Sequence, residues 1–271
     1  MAPVGAPDFL AALRGDLQAL YPGFEVEYHA QIDSTNTELM RRARSGVVCP
    51  QLLVAGRQNA GRGRLGRTWQ SAPQGAALTF SIGLPLTLRD WSGLSLAAGC
   101  AIAQALDPDG AGALRIKWPN DLWRQERKLA GILIETALGA PKGAIAEGAE
   151  APRYTVVGAG INIAPLAGDG LRTAPAWVRE WRPEASAPQL LRMVAPGLLA
   201  GLLRFAREGF GAFAADYAAR DALRGREVCL SDGVTGRCAG VSARGELLVH
   251  TAAGMQTVTS AEISVRPRAL A

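Results

Sequence analysis

Histidine is nearly missing from this 271-residue chain, with His29 and His250 the only two, far apart. Zinc centres draw on clustered His and Cys ligands, so a histidine-rich metal site is disfavoured. Four cysteines (Cys49, Cys100, Cys229, Cys238) are scattered without a C-x-x-C pair. That argues against a disulfide framework and fits reduced thiols in a cytoplasmic protein. No G-x-S-x-G elbow and no G-x-x-x-x-G-K-[ST] loop occurs; serine-hydrolase chemistry is disfavoured, and any nucleotide must be held by another device. No apolar run nears the roughly 20 residues that span a bilayer. The N-terminus, with Asp8 and Asp16, does not read as a signal peptide. No membrane partner is expected.

Lysine is scarce too. Of 29 Lys plus Arg, only Lys117, Lys128 and Lys142 are lysine. Arginine fills the positions where positive charge alone is needed. Two lysines kept close together suggest a site needing a compact ammonium that a planar guanidinium does not imitate; chance placement is the alternative. The net charge of +5 is compatible with nucleic acid, but the arginines are dispersed and no run of five basic residues exists, so DNA is not an expected partner.

The pattern along the chain is α+β: a mixed β-sheet with helices packed on one face, then a small barrel. A helix is expected to end near Tyr21-Pro22-Gly23 and a strand to cover 24–32. Thr35 and Glu38 form a T-x-x-E capping box opening a helix to about Ser45. Strands are expected at 51–58, 77–84, 114–118, 122–125, 131–136 and 154–163, with a helix at 92–106. A helix over 189–208 should break or kink near Pro196, and another should cover 211–222. Residues 138–153 read as a loose connection and 164–187 as a long loop of the kind that forms lids. After residue 223 the texture becomes short β segments separated by turns. The expected division is a catalytic domain over 1–222 and a β-barrel of the Src-homology-3 type over 223–271.

Residues 61–67 read GRGRLGR, a literal G-x-G-x-x-G. A dinucleotide fingerprint needs a helix opening at the third glycine, whereas RTWQSAPQG follows Gly66. Arginines also fill positions that a Rossmann turn keeps small, so that reading fails. Instead, Gly61 and Gly63 let backbone N–H groups approach a ligand, while Arg62, Arg64 and Arg67 offer forked donors to phosphate or carboxylate oxygens. A solvated basic loop is the bland alternative.

A second constellation spans IKWPNDLWRQERKLAGILIE, residues 116–135. Pro119-Asn120-Asp121 is turn chemistry, so Lys117, Asn120, Asp121 and Lys128 are expected to cluster at a hairpin end. Gly131 then permits close approach of a ligand. Two ammoniums and a carboxylate beside a Gly/Arg loop suit nucleotide activation, the cations neutralising charge at phosphorus. An exposed charged hairpin is the alternative.

DSTN (33–36), GRGRLGR-x-W (61–69), KWPND (117–121), KLAGIL (128–133) and GAGINI (158–163) resemble, in order and at similar intervals, the blocks of biotin–protein ligases. The resemblance covers roughly 24–271 and implies a catalytic fold of the class II aminoacyl-tRNA-synthetase/biotin-ligase type. It also implies a two-step reaction: ATP activates biotin to biotinyl-5'-adenylate, and a lysine of a biotin carboxyl carrier protein then takes the biotin. By that likeness Ser34, Thr35, Asn36 and Gln58 would bind biotin. Gly61, Arg62, Gly63 and Arg64 would close over biotin and phosphate, and Lys128 would contact the carboxylate and the transferring phosphate. Lys117 would assist phosphate or carrier, and Asp121 would orient the amine or magnesium. Arg67, Asn120, Gly131, Gly160 and Asn162 would complete the biotin and adenylate pocket. Trp69 is pocket wall or core; Trp177 and Trp181 would cover the adenine or anchor their loop. Magnesium is expected, at no assigned position, and the oligomeric state is open between monomer and homodimer.

Leu65 stands where many relatives carry a further basic residue, which would weaken the loop's phosphate grip. Because the catalytic pattern begins near residue 24, no DNA-binding arm and no repressor function are expected. Lipoate ligases and lipoyl or octanoyl transferases resemble the same architecture but generally lack the GRGR-x-GR plus KWPND pairing. A basic single-stranded nucleic-acid binder is disfavoured, because aromatics make up 6% of the chain and are not interleaved with the arginines.

Overall fold

The computed structural model describes residues 6–69, 75–138, 152–165, 173–259 and 265–267. Lys142 and nearly all of the expected connection at 138–153 lie outside these residues, as do 166–172 of the expected long loop. The chain opens with α1 (Ala6–Leu20), β1 (Glu25–His29), α2 (Thr35–Arg44), β2 (Gln51–Ala55) and β3 (Ala77–Leu86). Next come α3 (Leu94–Leu106), β4 (Arg115–Lys117), β5 (Asp121–Arg124), β6 (Arg127–Leu138) and β7 (Arg153–Asn162). Then follow α4 (Ala187–Glu208), α5 (Ala214–Arg220), β8 (Glu227–Leu230) and β9 (Thr235–Val241). β10 (Leu247–Thr251), β11 (Gly254–Val258) and β12 (Val265–Pro267) complete the described residues.

Strands β1 to β7 form one seven-stranded sheet in the order β1-β2-β3-β7-β6-β5-β4. β1 and β2 run parallel, and the other neighbours run antiparallel. Alternation along the central strands sorts the side chains. Leu78, Phe80 and Ile82 of β3, with Val157, Ala159 and Ile161 of β7, are buried against the core shared with α1, α3 and α4. On the opposite face, Leu39, Met40 and Ala43 of α2 pack on Leu53, Tyr154 and Val156. The expectation of helices on one face therefore holds for α1, α3 and α4, while α2 takes the other. The physical reason is composition: β3 and β7 place Thr79, Ser81, Gly158 and Gly160 on that second face. These residues cannot seat a layer of large helices.

Helix α2 begins one residue earlier than a cap at Thr35 would require. Ser34 is the N-cap, its Oγ accepting from Thr37 N at 3.4 Å. Glu38 is not used as the box acceptor; it pairs with Arg41 and Arg42 on its own helix. α4 runs unbroken through Pro196, because its burial against α3 outweighs one missing backbone donor. This helix is long and apolar enough to cross a bilayer by composition, yet Leu190, Leu191, Val194, Leu198, Leu199 and Leu202 are buried in the core. The helix expected at 211–222 is shorter, a 3-10 turn at Phe210–Phe213 leading into α5.

The last five strands form an antiparallel sheet in the order β11-β10-β9-β8-β12. Its apolar residues (Val228, Leu230, Cys238, Leu247, Val249) continue the main core. Two features dock it beside the β4–β5 turn. Trp118, 1% exposed, donates from Nε1 to the Gly245 carbonyl at 3.1 Å, and Arg244 pairs with Asp90 at 2.7 Å. Gly245 has φ +85, and a Cβ there would stand 2.7 Å from Gly93 Cα. Gly233 has φ +91 but open space around it. Gly245→Ala should therefore destabilise the protein by about 2 kcal/mol or more, combining left-handed strain with backbone overlap. Gly233→Ala should show the strain alone, and urea denaturation of the two variants measures the difference.

Candidate active site

The second face of the sheet carries a cleft between the N-terminus of α2, the Gly/Arg loop and the β4–β6 strands. Its floor is made of glycines. A Cβ at Gly160 would lie 2.4 Å from the indole of Trp69, and one at Gly158 would lie 2.0 Å from Asn36 Oδ1. Only glycine lets these two side chains lie flat on the strands. Trp69 is therefore cleft wall packed on the sheet, and its Nε1 is buried without a partner among the described residues.

At one end the groups are neutral. Thr35 N donates to Gln58 Oε1 at 2.7 Å, and the Thr35 hydroxyl lies 3.1 Å from the same oxygen. Ser81 Oγ lies 2.6 Å from both Thr35 Oγ1 and Asn36 Oδ1. The Asn36 amide donates to Leu133 O at 3.3 Å and to Glu135 at 3.0 Å.

At the other end the groups are charged. Lys117 and Asp121 pair across β4 and β5, and Asp121 faces Gly131 on β6. The register then shifts. Ala130 faces Leu122, but Lys128 faces Trp123, so Leu129 is an extra residue. Strict alternation would put Lys128 on the core side with Ala130 and Ile132. The extra residue buries Leu129 instead and returns Lys128 to the cleft, where Nζ meets Asp121 Oδ1 at 2.7 Å. Its ammonium also stands 5.8 Å from the Trp69 ring centroid.

Lys117 lies 5.3 Å from the Trp123 ring. Burial, followed by the nearby charges of Lys128, Arg67 and Arg266, pushes its ammonium down to about 8; Asp121 opposes this. Burial likewise lowers the pKa of the Arg64 guanidinium, again opposed by Asp121. Arg62 pairs with Glu135 at 3.0 Å, which fastens one side of the loop. Leu65 adopts φ 57 in the short 3-10 turn at Arg64–Gly66. Its side chain is 50% exposed and contributes no cation.

The cleft thus brings together Ser34, Thr35, Asn36, Gln58, Arg62, Gly63, Arg64, Arg67 and Trp69 from the first half of the chain. From the second half it gathers Lys117, Asn120, Asp121, Lys128, Gly131 and Gly160. Asn120 is oriented by donating to Ile132 O at 2.7 Å. Gly61 packs beneath, against the Trp69 backbone and Gln58. Asn162 is a departure: it does not line the cleft, and its amide donates to Lys128 O and Ala176 O at 3.2 and 3.1 Å. It fastens the segment at 174–176 to β6. Trp181 packs against Gly112 and stacks with Arg124, and Trp177 stacks with Arg127; both sit outside the cleft, as anchors. Ser81, Glu135 and Gly158 were not singled out from sequence. A polar residue at a period-two position in FSIGL or GILIE was the available signal.

For a divalent cation the donor set is thin. Among the described residues no three His, Cys, Asp or Glu come together, and Asp121 is already paired.

Comparison with known proteins bears on this arrangement. The biotin/lipoate A/B protein ligase family matches residues 28–149, and the biotin protein ligase C-terminal domain matches 225–266. The bifunctional ligase/repressor BirA of Escherichia coli is 35% identical over 245 residues, spanning 87% of this chain and 72% of that protein. The biotin--[acetyl-CoA-carboxylase] ligase of Paracoccus denitrificans is 30% identical, spanning 86% of this chain and 98% of that one. The Aquifex aeolicus biotin protein ligase in complex with biotin and ATP superimposes with TM-score 0.74 at 27% identity, covering 90% and 99% of the two chains.

Gly160→Ala should lift Trp69 off the sheet. Nucleotide affinity should fall at least about tenfold, the loss of one stacked wall, while the melting temperature changes little. Equilibrium dialysis with labelled ATP measures the first and calorimetry the second.

Proposed function

The chain belongs to the biotin protein ligase family, and we propose that its cleft joins biotin to AMP at the Lys117–Asp121–Lys128 cluster, then gives the acyl group to a carrier lysine. The single observation that carries this assignment of roles is the polarity of the cleft. A neutral hydrogen-bonding end at Thr35 and Gln58 faces a cationic end with one carboxylate. Biotin has the matching polarity, with an uncharged ureido ring at one end and a carboxylate at the other.

In the first step a carboxylate oxygen of biotin attacks the α-phosphorus of ATP. A bond forms between that oxygen and phosphorus as pyrophosphate leaves with the electron pair of the broken P–O bond. Lys128, held at the cleft by the extra residue in β6, lies across the meeting point of the two anions and lowers their repulsion. Lys117, Arg62, Arg64 and Arg67 take the phosphates, and Trp69 supports the nucleotide. In the second step the amine of a carrier lysine attacks the acyl carbon, AMP leaves, and the amine loses a proton. Asp121 orients that amine by accepting its hydrogen.

Magnesium, when present, supplies charge neutralisation at the phosphates. With one carboxylate on offer, it would be held chiefly by the phosphates themselves. The carrier is a biotin carboxyl carrier protein of acetyl-CoA carboxylase or a similar enzyme, a reading supported by the name of the Paracoccus relative.

Exchange of labelled pyrophosphate into ATP should depend on biotin and fail with lipoate or octanoate. Exchange driven by either of those acids but not by biotin would overturn the assignment. Arg64→Ala removes a charge-assisted donor over the phosphate. The adenylate should then escape at least about tenfold faster in a filter-release assay, the loss expected for one such hydrogen bond.

A further inference from the structure

The four neutral side chains at the head of the cleft have a fixed hydrogen order, and that order selects the ligand. Ser81 Oγ stands 2.6 Å from Asn36 Oδ1 and 2.6 Å from Thr35 Oγ1. Two oxygens this close need a hydrogen between them. Asn36 Oδ1 has none, because the amide orientation is set from the other side: Nδ2 donates to Leu133 O and to the Glu135 carboxylate, neither of which can donate back. Ser81 must therefore give its single hydrogen to Asn36. The contact between Ser81 and Thr35 then requires the hydrogen of Thr35. The Thr35 hydroxyl also lies 3.1 Å from Gln58 Oε1, which already accepts from Thr35 N–H at 2.7 Å, and the shorter 2.6 Å contact with Ser81 takes the hydrogen in preference.

We propose that Glu135, Asn36 and Ser81 form a hydrogen-ordering relay that turns Thr35 into an obligate acceptor facing the cleft, so that the site accepts acids whose ring presents an N–H. Ser81 and Glu135 are positioning residues acting through Thr35. Gly158 belongs to the same device, because a Cβ there would collide with Asn36 Oδ1 and push the amide out of line. Arg62, on the Gly/Arg loop, pairs with Glu135 at 3.0 Å and holds its carboxylate in place as the acceptor for the Asn36 amide. The relay explains why a cyclic urea is chosen over a dithiolane or a plain alkyl chain, which offer Thr35 no hydrogen. A buried acceptor left unpaired by such a ligand costs more than a lost contact.

The inference rests on the ureido ring lying at the Thr35 end. It is tested by calorimetric binding of biotin and of its two cyclic carbamate analogues, in which one or other ureido N–H is replaced by a ring oxygen. These keep the shape and lose one donor. Wild-type protein should reject one carbamate by about a hundredfold or more, since two lone pairs would face each other. In Ser81→Ala the Thr35 hydrogen is released and can turn to the analogue's ring oxygen. Biotin should bind about tenfold weaker while that carbamate binds as well or better, so the discrimination collapses. Equal losses for biotin and carbamate would mean that Ser81 is merely structural, and would overturn the relay.

Thr35→Val supplies the second test. If Ser81 acts through Thr35, adding Ser81→Ala to Thr35→Val should change biotin affinity less than about twofold. A full additive loss would overturn the proposal even if Ser81→Ala alone were poorly folded. Failure of the ligase reading has a different mark: wild-type protein would then bind neither biotin nor the carbamates.

Discussion

The site depends on holding more positive charge than it balances. Lys117, Lys128, Arg62, Arg64 and Arg67 line one cleft in which Asp121 is, among the described residues, the only acidic lining residue. Glu135 holds Arg62 from one side. Asp121 is shared between Lys128, by direct contact, and the fields felt by Lys117 and Arg64. Burial first, and then the like charges of Lys128, Arg67 and Arg266, disfavour the ammonium of Lys117 and make it yield its proton more readily. Lysine can do so near neutral pH and arginine cannot. This is the physical reason for lysine rather than arginine at position 117. A polyphosphate relieves the same repulsion, so the strain becomes affinity for the nucleotide.

The fold serves that concentration of charge by keeping the two faces of one sheet unlike. α1, α3 and α4 cover a continuous apolar face, and its burial carries most of the stability. The other face can then afford glycines where side chains would normally be. Trp69 and Asn36 lie in the space that Gly160 and Gly158 leave. One extra residue in β6 decides on which face Lys128 appears. The last sheet contributes by bracing: Trp118, between Lys117 and Pro119, reaches it through Gly245.

Most of this was legible in the sequence where local chemistry dictates the outcome. The Gly/Arg loop, the β4–β5 turn and the glycine at 131 are written in residue types with few other uses. What was not legible depends on register or on contacts distant in sequence. Pairing of Ser34 rather than Thr35 with the helix start turns on one backbone torsion. The inward bonds of Asn162 depend on where the 174–176 segment lies. The contacts of Trp177 with Arg127, and of Trp181 with Arg124 and Gly112, join segments distant in sequence. The Ser81–Asn36–Glu135 chain joins α2, β3 and β6, and no single window of sequence contains it. The substrate's identity rested on resemblance and now rests on family membership.

The scarcity of lysine makes the central claim directly measurable. With three lysines in the whole chain, protein labelled at lysine Cε gives three side-chain resonances, assignable by Lys117→Arg. The account predicts that Lys117 titrates near 8 in the free protein and moves upward when a non-hydrolysable ATP analogue binds, as the anion restores the charged form. A Lys117 resonance with ordinary lysine titration in the free protein, or one unmoved by the analogue, would contradict it.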